Sequence, residues 1–414
     1  MAFSRDVTLI MVARILRSLA TGAMGVVISL YLYNVLHLSF TLIGIFFAAG
    51  AFSAPLMSLY FGRLGDEYDR KLMLIITMSM LPASIAIITF TKYYPLLVLA
   101  ALLGNIGTAG VLASGSMGAV AAPLMTAILA DKTSGADRTR VYSMLNLASG
   151  IAGAVGALLS HLSYVQVFEI SLGLSAMSVL AVLPISSDHR PDPVVKAKPA
   201  RRGGLGLATL SENDRRVIKI FSLTGALNGA AQGLVTPFLP LVFEVLYHAS
   251  KGAVGNIFFL GGLAAALISL ATPVFTERWG FVKTVVVTRS ISTAALVLIP
   301  FMAYIMGNVP YVIFIAVPIY LIYVMFRVVS LPAQQALMMS IVSARARSTT
   351  AGVNQAARLL PSASATMASG VMLDYLPVPA PFIAALILNI VNIHIYRKYL
   401  TPYDVKGRVV AAVD

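Results

Sequence analysis

Apolar residues in this chain come in long runs separated by short polar breaks. A helix crossing the ~30 Å hydrocarbon core of a bilayer needs about 20 apolar residues at ~1.5 Å each, so every such run predicts a membrane span. Twelve are predicted, over roughly 7–36, 40–61, 72–91, 95–130, 140–160, 164–184, 217–247, 252–275, 283–306, 310–342, 349–375 and 379–398. Several exceed the minimum length, which predicts tilting, bending or projection beyond the bilayer. The fourth carries Gly104, Gly107, Gly110, Gly115 and Gly118 ahead of Pro123, so it is expected to bend or to pack closely on a neighbour. One long polar stretch interrupts the pattern, "SSDHRPDPVVKAKPARRGGLGLATLSEND" at 186–214, whose proline, glycine and charge read as a flexible linker. The chain then divides into a six-helix half (1–185), a linker (186–215), a second six-helix half (216–400) and a tail (401–414).

Composition agrees. Of 414 residues, 58% are hydrophobic and 11% charged, with mean hydropathy +0.87. A soluble domain carries about 25% charged residues, so a surface facing water is excluded and an all-α integral membrane protein is predicted. The absence of cysteine excludes disulfides, thiolate metal sites and a cysteine nucleophile. The net charge of +14 raises the question of nucleic acid, which the placement of the basic residues answers. With the N-terminus inside, Arg63, Arg70, Lys71, Lys132, Arg138, Arg140, Arg278, Lys283, Arg345 and Arg347 fall in inner loops, and the linker and tail are basic too. The outer loops hold Lys92 and Lys251. The positive-inside rule then predicts a multi-pass protein of the cell membrane with both termini cytoplasmic, its partners being the lipid bilayer and not nucleic acid. The first span is read as a retained helix and not a signal peptide: Arg14 and Arg17 lie well inside it and no A-x-A site follows.

The two halves repeat. "GIFFAAGAFSAPLMSLYFGRLGDEYDRKLML" (44–74) aligns without gaps to the stretch around Asn256, placing Phe46-Phe47 on Phe258-Phe259, Gly50 on Gly262 and Lys71 on Lys283, an offset of 212. Pro123 and Arg138 fall on Pro332 and Arg347 at an offset of 209. Duplicated halves are a feature of secondary transporters, whose solute sites lie near the bilayer midplane between repeats.

The loop after the second span, "GRLGDEYDRK" at 62–71, concentrates six charges between Arg63 and Lys71. Together with the repeat and the twelve spans, it resembles the major facilitator superfamily along the whole chain. The family pattern G-x-L-a-D-r-x-G-r-k is matched at Gly62, Leu64, Gly65, Asp66, Arg70 and Lys71, while Glu67 and Asp69 depart from it by being acidic. The resemblance implies two six-helix bundles working by alternating access. It also implies a gate in which Asp66 faces the start of the eleventh helix near Ser348 and Thr349, with Arg70 paired to Asp131 and Arg138 to a neighbouring acid. A carboxylate at a helix N-terminus gains roughly 0.3–2 kcal/mol, a contact weak enough to reopen. The bland alternative is a solvated loop that only anchors topology.

Arg14, Arg17, Arg289, Arg327 and Arg358 fall inside predicted spans, the last four at a similar depth. Two readings stand. Side chains at that depth can snorkel to the inner interface, which is the expectation for Arg14 and Arg289. Alternatively Arg17, Arg327 and Arg358 form a cationic floor to a central cavity, and a solute carboxylate or phosphate supplies the partner that the acid-free spans lack. Asn228 and Gln232, one turn apart, are further solute-binding candidates, against the alternative of helix–helix hydrogen bonding. The drug–proton antiporters of the family resemble one another in a fourth-helix arginine and a fifth-helix Gly-Pro. Here those positions fall on Val111 and on glycines 150, 153 and 156 without proline. No metal cluster, nucleotide loop or catalytic constellation is found, so neither enzyme activity nor a cofactor is expected. The sequence predicts a monomeric secondary transporter of a small organic solute, an anion on the arginine reading. Efflux of hydrophobic compounds and a non-transporting scaffold or sensor of the same fold are the alternatives.

Overall fold

The computed structural model describes residues 4–107, 120–133, 135–186, 211–307, 311–343, 347–405 and 408–409. Fifteen α-helices lie among them: α1 (Arg5–Asn34), α2 (Phe40–Glu67), α3 (Arg70–Phe90), α4 (Tyr94–Gly104), α5 (Ala121–Asp131), α6 (Gly135–Ala157), α7 (Tyr164–Val182), α8 (Glu212–Val235), α9 (Leu239–Tyr247), α10 (Lys251–Ser269), α11 (Thr272–Trp279), α12 (Phe281–Met306), α13 (Val312–Ile341), α14 (Arg347–Tyr375) and α15 (Pro379–Ile395). They build the twelve spans. α4 and α5 belong to the fourth, α8 and α9 to the seventh, and α10 and α11 to the eighth. Ten spans among the described residues are long and apolar enough to cross a membrane; the fourth begins with the shorter Tyr94–Gly104, and α14, the eleventh, is more polar.

Each break has a local cause. α4 ends where Asn105 turns left-handed (φ 48°), a conformation asparagine tolerates better than most residues. Its amide then donates to Ser53 Oγ at 2.9 Å. In the seventh span Pro237 sits in a short 3-10 turn, Thr236–Phe238, and Pro240 opens α9; Pro273 likewise opens α11. Serines 4, 39, 163 and 211 cap α1, α2, α7 and α8 by accepting a first-turn N–H.

The second helix runs past its predicted end at 61 to Glu67 and the third begins at Arg70, so most of the charged loop is helical. Both acidic departures from the family pattern serve helix ends. Glu67 pairs with Arg63 one turn earlier at 2.6 Å, an exposed contact of small worth. Asp69 is the N-cap of α3, its carboxylate accepting from the N–H groups of Lys71 (2.7 Å) and Leu72 (3.4 Å). The equivalent start in the second half, at Gly280 (φ 81°), has no side chain to cap with. There Asp404 of the tail provides the carboxylate, accepting from the N–H groups of Phe281 (2.9 Å), Val282 (2.7 Å) and Lys283 (3.4 Å). Asp404–Val405 pairs antiparallel with Arg408–Val409.

Two compact units result, Met1–Arg201 with Ala249–Leu263, and Arg202–His248 with Ala264–Asp414. The first two thirds of α10, which chain order gives to the second half, therefore pack within the first unit. There His161 Nε2 lies 2.9 Å from Asn256 Oδ1, and a Cβ on Gly255 would stand 1.7 Å from Ser160 Oγ.

Inside each unit the repeat reappears as packing. In the first, α1 and α6 meet backbone to backbone: a Cβ on Gly22 would lie 1.9 Å from the Gly153 carbonyl oxygen. In the second, α8 meets α14 in the same way, with Gly229 against the Arg358 carbonyl (1.9 Å) and Gly233 against that of Ser362 (2.1 Å). Such small-residue seams substitute for a hydrophobic drive that lipid does not provide. Leu124, Ile128 and Leu129 in one core are matched by Ala333, Leu337 and Met338 in the other, at the 209-residue offset. An acid at each entry helix completes the parallel. Asp6 accepts from Lys132 Nζ (2.8 Å) and Ser186 Oγ (2.6 Å), and the buried Asp214 accepts from Ser343 N–H (3.0 Å) and Oγ (2.7 Å).

Gly229→Ala is expected to destabilise the protein by about 1–3 kcal/mol, because a carbonyl on a packed helix cannot move aside. Gly352→Ala, which meets open space, is the control. Thermal unfolding in detergent reads both.

Candidate functional site

The polar side chains that the sequence singled out separate by unit. In the first, Arg17 is buried (7% exposed) and donates from Nη1 to the Met78 carbonyl on α3 at 3.2 Å. Arg14, half-buried, donates to Ser149 Oγ (3.2 Å) and Asn146 Oδ1 (3.3 Å) on α6. In a low-dielectric bundle these neutral acceptors satisfy donors without cancelling charge.

The second unit gathers the rest. Asn228 and Gln232 lie one turn apart on α8 and face Arg327 of α13. Arg327 is 5% exposed; its Nη2 donates to Asn228 Oδ1 at 2.7 Å. With the Gln232 amide turned oxygen-inward, that oxygen accepts from Nε at 3.0 Å and also from Nη2. Nη1 makes no hydrogen bond among the described residues. Beside the guanidinium lies a cavity with room for about one water, roughly 10 Å³ for its centre, lined among others by Gln232, Ser292, Thr293, Tyr323, Arg327 and Asn389. The Asn228 amide nitrogen and Asn389 Oδ1 are sealed and unbonded among the described residues, so the site has hydrogen-bonding capacity unspent.

Arg358 on α14 is half-buried, donating to Gln355 Oε1 at 3.4 Å, with its Nε sealed and unpaired among the described residues. Its backbone, not its side chain, supports the Gly229 seam.

Arg289 requires a correction. Read from the sequence as an arginine snorkelling to the interface, it is fully buried (0% exposed) in the second unit. Its Nη1 donates to Asn392 Oδ1, its Nη2 to Gln334 Oε1 at 2.9 Å, and the Tyr396 ring lies 5.1 Å from its guanidinium. The reason is supply of acceptors: α13 and α15 bring amides to its depth, so it need not reach water. Asn392, fixed by donating to the Thr224 carbonyl at 2.6 Å, and Asn389 were missed outright. The available signal was spacing, since 389 and 392, like 289 and 292, stand three apart and share a helix face.

Of the predicted gate residues, Gly62 sits in α2 with open space around it, and Arg70 and Lys71 begin α3. The side chains of Asp66, Asp131, Arg138, Ser348 and Thr349 lie outside the described residues, and with them the predicted gate pairs.

Two repeated six-helix bundles with buried polar clusters define a multi-pass membrane protein of the transporter class. The family model of the Major Facilitator Superfamily matches residues 10–366. The chain belongs to that superfamily, whose members are secondary transporters of small solutes. Similar solved structures include the nucleoside transporter NupG (16% identity over 96% of this chain and 100% of that one, TM-score 0.73). A D-xylose–proton symporter shares 13% identity over 97% and 99% (TM-score 0.75). The human organic anion transporter MFSD10 shares 17% over 95% and 99% (TM-score 0.60). No curated protein matches.

Asn228→Ala removes a charge-assisted bond to a buried guanidinium and is expected to cost about 1.5–3 kcal/mol of stability, read by thermal unfolding.

Proposed function

We propose that the protein carries a small organic anion by alternating access between its two halves. The observation that carries this is Arg327: a buried guanidinium met by amides, with no carboxylate bonded to it among the described residues and a small cavity that the residue lines. Removing such a charge from water costs several kcal/mol, which an anionic ligand offsets and a neutral amide only eases. Asn228 and Gln232 orient the fork, leaving Nη1 for the solute; Arg17 and Arg358 are the further binding candidates. The cavity beside Arg327 has room for about one water in this conformation, so the anionic end enters as the helices around it part.

The similar solved structures are transporters of a nucleoside, a sugar, a peptide and an organic anion. The fold therefore selects none of them, and the choice rests on this chain's arginines. The reading extends to a monomer in the cell membrane with both termini cytoplasmic, supported by the distribution of basic residues, and to a cytoplasmic gate made by Gly62, Asp66, Arg70, Lys71, Asp131 and Arg138.

Thermal unfolding against small anions, cations and neutral amphiphiles tests the site. A saturating anion at 100 times its Kd should add about 2.7 kcal/mol to stability, and Arg327→Gln should abolish that gain. Stabilisation by amphiphiles alone, unchanged in Arg327→Gln, would replace the anion reading by efflux of hydrophobic compounds. Asp66→Asn should reduce uptake into liposomes several-fold while leaving anion-induced stabilisation intact; unchanged uptake would remove the gate.

A further inference from the structure

We infer that the Arg327 site selects doubly charged anions, and that Arg289, which does not touch the ligand, sets this preference. The inference rests on the anion reading above and adds its charge.

Polar residues on four helices of the second unit fall into two stacked layers. Thr224, Arg289, Gln334 and Asn392 form one, bonded through Arg289 and Asn392. Arg327 with Asn228 and Gln232 forms the other, facing the cavity that Ser292 and Asn389 line. The layers are joined by helical spacing. Arg289 stands three residues before Ser292, and Asn392 three after Asn389, a rise of ~4.5 Å along each helix. A second guanidinium thus lies about one turn from the cavity, inside the same low-dielectric bundle.

Its own hydrogen bonds hold it back from the ligand. Asn392 and Gln334 take both terminal nitrogens, Tyr396 covers its face and its Nε is sealed. It therefore acts through space. Neither guanidinium is bonded to a carboxylate among the described residues, so this pair carries two positive charges that a monoanion half-neutralises and a dianion neutralises fully. At a separation of ~7–10 Å and an effective dielectric near 20, the second charge should favour a dianion over a matched monoanion by about 15- to 55-fold.

The test uses the purified full-length protein and matched ligands, succinate against butyrate and phthalate against benzoate, with binding read by thermal shift and titration. The parent should prefer the dianion of each pair at least tenfold. Gln334→Glu places a carboxylate on Arg289 at the position of the present amide oxygen, cancelling its charge without removing its packing. That variant should bring the preference below about threefold, with monoanion affinity falling by a smaller factor than dianion affinity. Arg289→Gln should do the same where it folds, and Gln334→Glu decides the matter where it does not. A parent that binds both members of each pair equally, or a Gln334→Glu protein that keeps the full preference, would overturn the inference while leaving the anion reading standing. A parent stabilised by no anion would sink both, a distinct result.

Discussion

A guanidinium buried among lipid-embedded helices must find acceptors within its own bundle, and much of the second unit is arranged around that requirement. Arg289 and Arg327 are long, always charged side chains; each desolvated N–H left unmet is expensive. The asparagines and glutamines of α8, α13 and α15 stand at the matching depths, and their spacing on each helix follows from which N–H they serve. Amides are the acceptors that satisfy the geometry without cancelling the charge. A carboxylate in the same places would have made an inert ion pair.

Among the described residues, the first unit repeats the scaffold without repeating this chemistry. Both units join their first and fifth helices through glycine seams, tie an entry-helix acid to the exit of the fourth, and share core positions at a constant offset. Arg17 is the first unit's one deeply buried guanidinium among the described residues, and a backbone carbonyl meets it. Duplication supplied the frame, and the polar layers belong to one copy. That asymmetry gathers the buried amides and guanidiniums in one bundle, while glycine seams draw helices together in both.

The spans, the repeat and the family were legible in the sequence because lipid imposes the same demand on every residue of a span, and a run of twenty apolar positions records it. The break at Asn105 was signalled by the glycines after it, though the asparagine itself makes the turn. The polar partnership of Asn228 and Gln232 was visible as a pair one turn apart, but its object, Arg327, depends on how α8 and α13 are rotated about their axes, which no local pattern states. Arg289 shows the limit most directly. Depth along the helix suggested an interfacial anchor, whereas its neighbours on α13 and α15, 45 and 103 residues away, decide that it stays inside. The acidic residues of the charged loop were readable as departures from a pattern and unreadable as a helical pair and a cap until the helix ends were placed.

The tail's grip on α12 has a consequence for how the protein is made. Phe281 and its neighbours leave the ribosome with their amides uncapped, because Gly280 has nothing to offer, and the carboxylate they need is encoded 123 residues later. At about 5–20 residues per second of synthesis, the start of the ninth span waits roughly 6–25 s for Asp404. Four spans are threaded into the bilayer during that interval, so the cap closes last and the second bundle is finished from its carboxyl end.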